Sequence, residues 1–187
     1  MEEKILPGHG SGGKLMNEMI EKVIREILGR DSVQLDDAAV LDVGAGKIAF
    51  TTDSFTVSPI VFPGGTIGSL AVNGTVNDLA MMGATPRYLS CALILEESLE
   101  IQMLKEILVS MREAADYAGV KIVTGDTKVV QKGKGDKIFI NTAGIGILDT
   151  AVQRRPIETG DAVIINGYIG DHGIAVMAER NRLSFSK

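Results

Sequence analysis

The sequence predicts a mixed α/β fold of the α+β kind: one full domain followed by the opening of a second. Three observations carry this. Helix-period apolar patterns alternate with short strand-like runs. The balance of 45% hydrophobic to 23% charged residues is that of an ordinary globular chain. And 187 residues suffice for one good core plus a fragment of another.

From about Lys14 to Leu28, Leu15, Met19, Val23 and Ile27 recur every four positions with Ile20 and Ile24 beside them, as one helix face requires, and Gly29 suits the C-terminus. Ala38 to Val43 and Lys47 to Thr52 read as a hairpin across Gly44-Ala45-Gly46. Thr66 to Gly83 reads as a helix rich in small residues and buried on most sides, with Met81 and Met82 in the core. A strand follows over about Arg87 to Leu95. Leu99 to Ala118 is the clearest helix, with Ile101, Leu104, Leu108, Met111, Ala115 and Ala118 at three-four spacing. Strands are expected at Lys121 to Val123 and Lys137 to Leu148, with Gln131 to Asp136 as an exposed turn. A boundary is expected near Arg154-Arg155-Pro156, giving a first domain over 1–153. Residues 154–187, with a strand at Ala162 to Asn166 and a helix at Ile174 to Arg182, are too few for a core of their own and read as the start of a second domain.

Composition narrows the function classes. A net charge of -5 argues against nucleic-acid and membrane-surface binding, which need a basic face. No apolar stretch approaches the ~18 residues of a membrane span, and Met1-Glu2-Glu3-Lys4 does not open a signal peptide. The single cysteine, Cys91, excludes an internal disulfide, points to a reducing, cytoplasmic setting and reads as a buried small hydrophobe. Two histidines, His9 and His172, make a zinc site improbable, and each sits beside glycine where a surface position is natural.

The chemistry-bearing residues are acidic. Asp36 and Asp37 precede the first strand, Asp53 ends the second, Asp78 lies in the helix over 66–83, and Asp126 follows a strand. Strand ends are where α/β proteins place ligand-binding groups. Taken singly, Asp36, Asp53 or Asp126 also reads as a turn aspartate. Asp78, on a largely apolar helix with Asn73 and Asn77 in a narrow polar stripe, must be paired or bound to a metal. Magnesium suits such hard oxygen donors and would let an acidic protein hold a nucleotide. Glycine is in excess, 22 of 187 residues against a usual ~7%, and it clusters in Gly8-His9-Gly10-Ser11-Gly12-Gly13-Lys14. This run is not a P-loop, because Leu15 stands where the magnesium-binding hydroxyl belongs and no strand precedes it. Its amides and Lys14 could wrap a phosphate, and the run also reads as a flexible N-terminal arm.

Read together and in order, Asp36-Asp37-Ala38-Ala39, Thr51-Thr52-Asp53, the run from Asn77-Asp78 to Thr85-Pro86, and Gly125-Asp126-Thr127 resemble the ATP-binding half of the aminoimidazole ribonucleotide synthetase (PurM-like) superfamily. Within it, the opening glycine run, Thr52 to Pro59 leading into Phe62-Pro63-Gly64-Gly65, and Gly125 to Val130 resemble the HypE hydrogenase-maturation family.

The resemblance implies a mixed β-sheet covered by helices, N-terminal domains that pair their sheets in a homodimer, and ATP with magnesium near that interface. It implies Asp37, Asp53, Asp78 and Asp126 as metal-site carboxylates with Asp36 as a possible neighbour. Gly10, Ser11, Gly12, Gly13, Lys14, Thr52, Asn77, Thr127 and Lys128 are the implied nucleotide-site residues. The implied activity is ATP-dependent dehydration of a carbamoyl group on a C-terminal cysteine thiol to a thiocyanate, which supplies cyanide for the iron of NiFe hydrogenases. The implied partners are a HypF-like carbamoyltransferase and the HypC-HypD complex. That cysteine would lie beyond Lys187, so the chain is expected to be a truncated form. A small-molecule kinase or synthetase of the same superfamily, such as a thiamine monophosphate kinase, and a non-catalytic dimerisation or docking module are the alternatives.

Overall fold

The computed structural model describes residues 4–28, 36–44, 46–148, 156–165, 167–181 and 183. A 3₁₀ turn at Pro7–Gly10 leads into α1 (Lys14–Met19), a π-helical turn (Ile20–Ile24) and α2 (Arg25–Leu28), which together form the helix expected from the four-residue apolar period. The predicted hairpin is β1 (Ala39–Asp42) and β2 (Lys47–Phe55), antiparallel with Ala39 opposite Phe50. β2 outruns its prediction, so Asp53 lies within the strand and not at its end.

A ribbon of β3 (Val61–Phe62) and β4 (Gly65–Thr66) leads into α3 (Ile67–Met81). Thr66 caps that helix, its hydroxyl accepting from the amides of Gly68 and Ser69. β5 (Ala84–Glu96), α4 (Ile101–Ala118), β6 (Lys121–Val130), β7 (Ile138–Leu148) and α5 (Asp171–Asn181) complete the described elements. Gly119, at φ 69° in the left-handed region, closes α4.

The five-stranded sheet runs β1-β2-β7-β5-β6. β5 and β6 are parallel, joined through α4, and the other neighbours are antiparallel. The sheet is therefore mixed, as expected. Strand alternation sorts its two faces. Ile138, Ile140 and Thr142 of β7 are buried on one face with Leu89 of β5, against Ile67, Ala71 and Val72 of α3 and Ile107, Met111 and Ala115 of α4. The other face carries Phe50, Tyr88, Ile94 and Ile147, which remain 41–49% exposed.

Three further expectations are corrected. β6 runs to Val130, so Asp126 lies within a strand and does not follow one. α3 is buried on one side only, at Ile67, Gly68, Ala71, Val72, Thr75 and Leu79; Met81, two residues and 200° beyond Leu79, is exposed, whereas Met82 is in the core. Residues 161–165 form no strand: among the described residues no strand takes their ladder bonds, and Val163 and Ile164 stand exposed. Gly29, Ala45, the junction at Arg154 and Arg155, Asn166 and Arg182 lie outside the described residues.

Candidate functional site

The centre of the site is a hydroxyl. Thr51 occupies the helix-facing side of β2 and is 8% exposed. Its Oγ1 lies 2.9 Å from the Asp37 carbonyl oxygen and 3.0 Å from Asp78 Oδ2. Asp53, two residues on, shares that face of β2. The approach to β1, the strand β2 and the helix α3 thus bring Asp37, Asp53 and Asp78 together, with Asp36 exposed alongside.

Asp78 is half-buried, not enclosed, because α3 buries only one side. Burial raises its pKa, donation from Thr51 works against that rise, and the negative charges of Asp53 and Asp37 raise it further. A divalent cation would relieve this repulsion. Among the described residues, however, no three carboxylate, histidine or cysteine side chains are gathered tightly enough to hold an ion by themselves. The trio's donors are hard carboxylate oxygens, the kind magnesium takes one or two of beside waters and substrate phosphates.

Thr52 points to the open face. Its hydroxyl donates to the Thr142 carbonyl at 3.2 Å and accepts from Asn141 Nδ2 at 3.3 Å. The same amide donates to the Asp53 carbonyl at 2.9 Å and to Ser54 Oγ at 3.0 Å, clamping β2 to β7 beside the aspartates. Asn77 is exposed on α3.

Asp126 stands apart. Register places Asp53 in a row with Thr142, Cys91 and Gly125, and Asp126 in the next row with Ala92, Asn141 and Ser54, on the opposite face. Three strand spacings separate β2 from β6, roughly 14 Å. Asp126 pairs with Lys128 at 2.8 Å, and that contact, followed by the Thr127 amide, holds its carboxyl below the usual aspartate range. Both side chains are exposed, and Thr127 falls on the helix-facing side opposite Leu93.

The glycine run is an ordered turn. His9 is 5% exposed, not a surface residue, and its Nδ1 accepts from the Leu6 amide at 3.0 Å; Ser11 Oγ donates to the Gly8 carbonyl at 2.9 Å. Gly10, Ser11, Gly12, Gly13 and Lys14 are exposed, with Gly13 at the N-cap of α1 and Lys14 within 3.9 Å of Glu18. Cys91 is partly buried against Met111, and burial pushes its thiol pKa up, as suits an inert core thiol. Sequence reasoning missed Thr51 and Asn141. The signal for Thr51 was its parity with Asp53 in a strand; Asn141 had none, since its partners are some 88 residues away.

Comparison with known proteins shows the family. Residues 35–148 match the family model "AIR synthase related protein, N-terminal domain". The carbamoyl dehydratase HypE of Bradyrhizobium diazoefficiens is 48% identical over 182 residues, covering 95% of this chain and 52% of that protein. A crystal structure of a HypE-HypF complex aligns with TM-score 0.81 and 50% identity, over 90% of this chain and 55% of that one. HypE in complex with ATP aligns with TM-score 0.66 and 46% identity, over 98% of this chain and 55% of that one. A thiamine monophosphate kinase from Aquifex aeolicus, 18% identical with TM-score 0.55 over 72% of this chain and 44% of that one, shares the fold alone. The chain spans about half the length of the relatives it matches. It belongs to the AIR synthase related family and stands with the HypE proteins within it.

Proposed function

We propose that this chain is the nucleotide-binding part of an ATP-dependent carbamoyl dehydratase of hydrogenase maturation. The observation that carries this reading is the likeness, across 98% of the chain, to a HypE structure holding ATP. Its chemistry is the loss of water from a thiol-bound carbamoyl group. The carbamoyl oxygen leaves on the γ-phosphoryl group of ATP, and the C–O bond is exchanged for a C≡N triple bond. Both N–H protons are released, giving thiocyanate, ADP and phosphate. The work left to the protein is positioning and charge stabilisation.

In this reading Asp37, Asp53 and Asp78 hold magnesium, with Asp36 beside them, and the metal neutralises phosphate oxygens that the acids would otherwise repel. Asn77 and Thr127 lie on the helix side of the sheet with the aspartate trio, Thr52 and Lys128 stand on the open face and would reach a nucleotide only at a sheet-to-sheet interface, and the turn from Gly10 to Lys14 covers the phosphates. The exposed face bearing Phe50, Tyr88, Ile94 and Ile147 supports a homodimer paired sheet to sheet. Such pairing carries Asp126 and Lys128 of each protomer into the interface. A HypF-like carbamoyltransferase is the donor partner, supported by the HypE-HypF complex among the relatives, with HypC-HypD as acceptor. Residues 154–187 begin a second domain, supported by exposed Ile157, Val163 and Ile169, which are 93%, 96% and 88% accessible. No helix among the described residues is long and apolar enough to cross a membrane, and the reading places the protein in the cytoplasm. A thiamine monophosphate kinase activity has fold likeness alone behind it.

Calorimetric titration of the protein with ATP and magnesium tests this. Binding is expected, with sharp weakening in Asp53→Asn and Asp78→Asn. Unchanged magnesium-dependent binding in both variants removes the site assignment.

A further inference from the structure

The geometry points to Thr51 as the positioning residue of the aspartate trio: its hydroxyl sets the orientation of Asp78 and the place of Asp37 before any ligand arrives. This inference rests on the magnesium-nucleotide reading above and adds a residue to it.

Thr51 is 8% exposed, and its Oγ1 meets two oxygens from segments far apart in the chain, the Asp37 carbonyl at 2.9 Å and Asp78 Oδ2 at 3.0 Å. Both are acceptors when Asp78 is ionised, so the single hydroxyl proton is shared between them. Asp78 projects from α3 with rotamer freedom that a half-buried position does not remove, and engagement of Oδ2 selects one rotamer and leaves Oδ1 for other ligands. Asp37 lies outside regular structure, two residues before β1, and the Thr51 contact ties its peptide to β2. Asp53 is placed by the same strand, with its carbonyl held by Asn141. One buried hydroxyl therefore links all three carboxylate-bearing segments while contributing no charge. Groups that orient metal-binding carboxylates in this way typically govern 10–100-fold in metal affinity.

The test uses Thr51→Val, which keeps the shape and removes the hydroxyl, Thr51→Ser, which restores the hydroxyl, and Thr51→Ala as a second deletion should valine not fold. Manganese, a paramagnetic substitute for magnesium, is titrated in the presence of ATP and followed by electron paramagnetic resonance, alongside thermal unfolding. Thr51→Val or Thr51→Ala is expected to weaken manganese binding about tenfold or more, with Thr51→Ser within about threefold of the parent. Parent-like manganese affinity in a folded Thr51→Val or Thr51→Ala protein overturns the inference, as does failure of Thr51→Ser to restore it. Asp53→Asn in parallel separates the two levels. If Asp53→Asn also binds like the parent, the metal-site reading itself fails; if Asp53→Asn binds weakly and Thr51→Val normally, only the role of Thr51 is lost.

Discussion

Thr75 and Thr142 share a hydrogen bond of 2.6 Å between their hydroxyls, with both side chains fully buried where α3 crosses β7. Thr142 also donates to the Ala71 carbonyl at 3.1 Å, so the proton between the two threonines belongs to Thr75. Thr142→Val removes two bonds and Thr75→Val removes one. With roughly 1 kcal/mol per buried bond, urea unfolding is expected to show a loss of about 2 kcal/mol for Thr142→Val and about 1 for Thr75→Val.

Asp78 binds its proton more tightly folded than unfolded, since burial and the charges of Asp53 and Asp37 raise its pKa. Its contribution to stability is full below the unfolded pKa and is lost as pH rises through the folded one. Asp78→Asn removes that loss. In metal-free buffer the variant is expected to melt above the parent at pH 8 and together with it at pH 3, where both side chains are neutral. A lower melting temperature for the variant at pH 8 contradicts the assignment.

Gly125 lies where a Cβ would approach the Cys91 carbonyl oxygen to 2.1 Å, a contact with backbone that cannot step aside. Gly125→Ala is expected to push β6 away from β5 at the position next to Asp126, costing about 1–3 kcal/mol. Faster amide exchange along 124–128, with α3 unaffected, is the signature to look for.

Glu96 accepts the Lys137 amide at 2.9 Å and the Gly133 amide as well, and these two bonds, with Lys132 nearby, hold its carboxyl below the usual glutamate range. The bonds staple the turn between β6 and β7. Glu96→Ala is expected to raise hydrogen exchange at Gly133 and Lys137 while leaving the sheet interior protected. The same loosening should appear in the parent as pH falls through the depressed pKa, because a depressed carboxylate stabilises only while ionised.

What could be read from the sequence follows from where burial writes a period. α4 was legible because Ile107, Met111 and Ala115 form one buried row, and Gly119 marks its end. α3 shows no such row in sequence because apolar residues surround it, and only the packing partner decides that Leu79 is inside and Met81 outside. Only the first three residues of β6 are legible as a strand, because Thr124 to Lys128 show no alternation. Parallel pairing with β5 holds it, and all its residues but Val130 are exposed. Residues 161–165 differ for the opposite reason, an apolar run with no neighbouring strand among the described residues. At the candidate site the aspartates were visible as motif members. Their grouping was not, because it depends on strand parity, which turns Thr52 and Asp53 to opposite faces, and on the insertion of β7 between β2 and β5.

That insertion has a consequence for how the protein is made. β7 is the last strand of the sheet in the chain, yet it sits at the middle of it, pairing Ile48 with Ile147 on one side and Leu95 with Ile138 on the other. β1 and β2 emerge as one hydrogen-bonded pair and β5 and β6 as another, and no strand-to-strand hydrogen bond joins the two pairs until β7 emerges. Until then the inner edges of β2 and β5 stay unpaired. Such late, non-local closure slows folding and exposes the nascent chain to misassociation. The interval before residue 138 emerges is when this sheet is most open to misassociation.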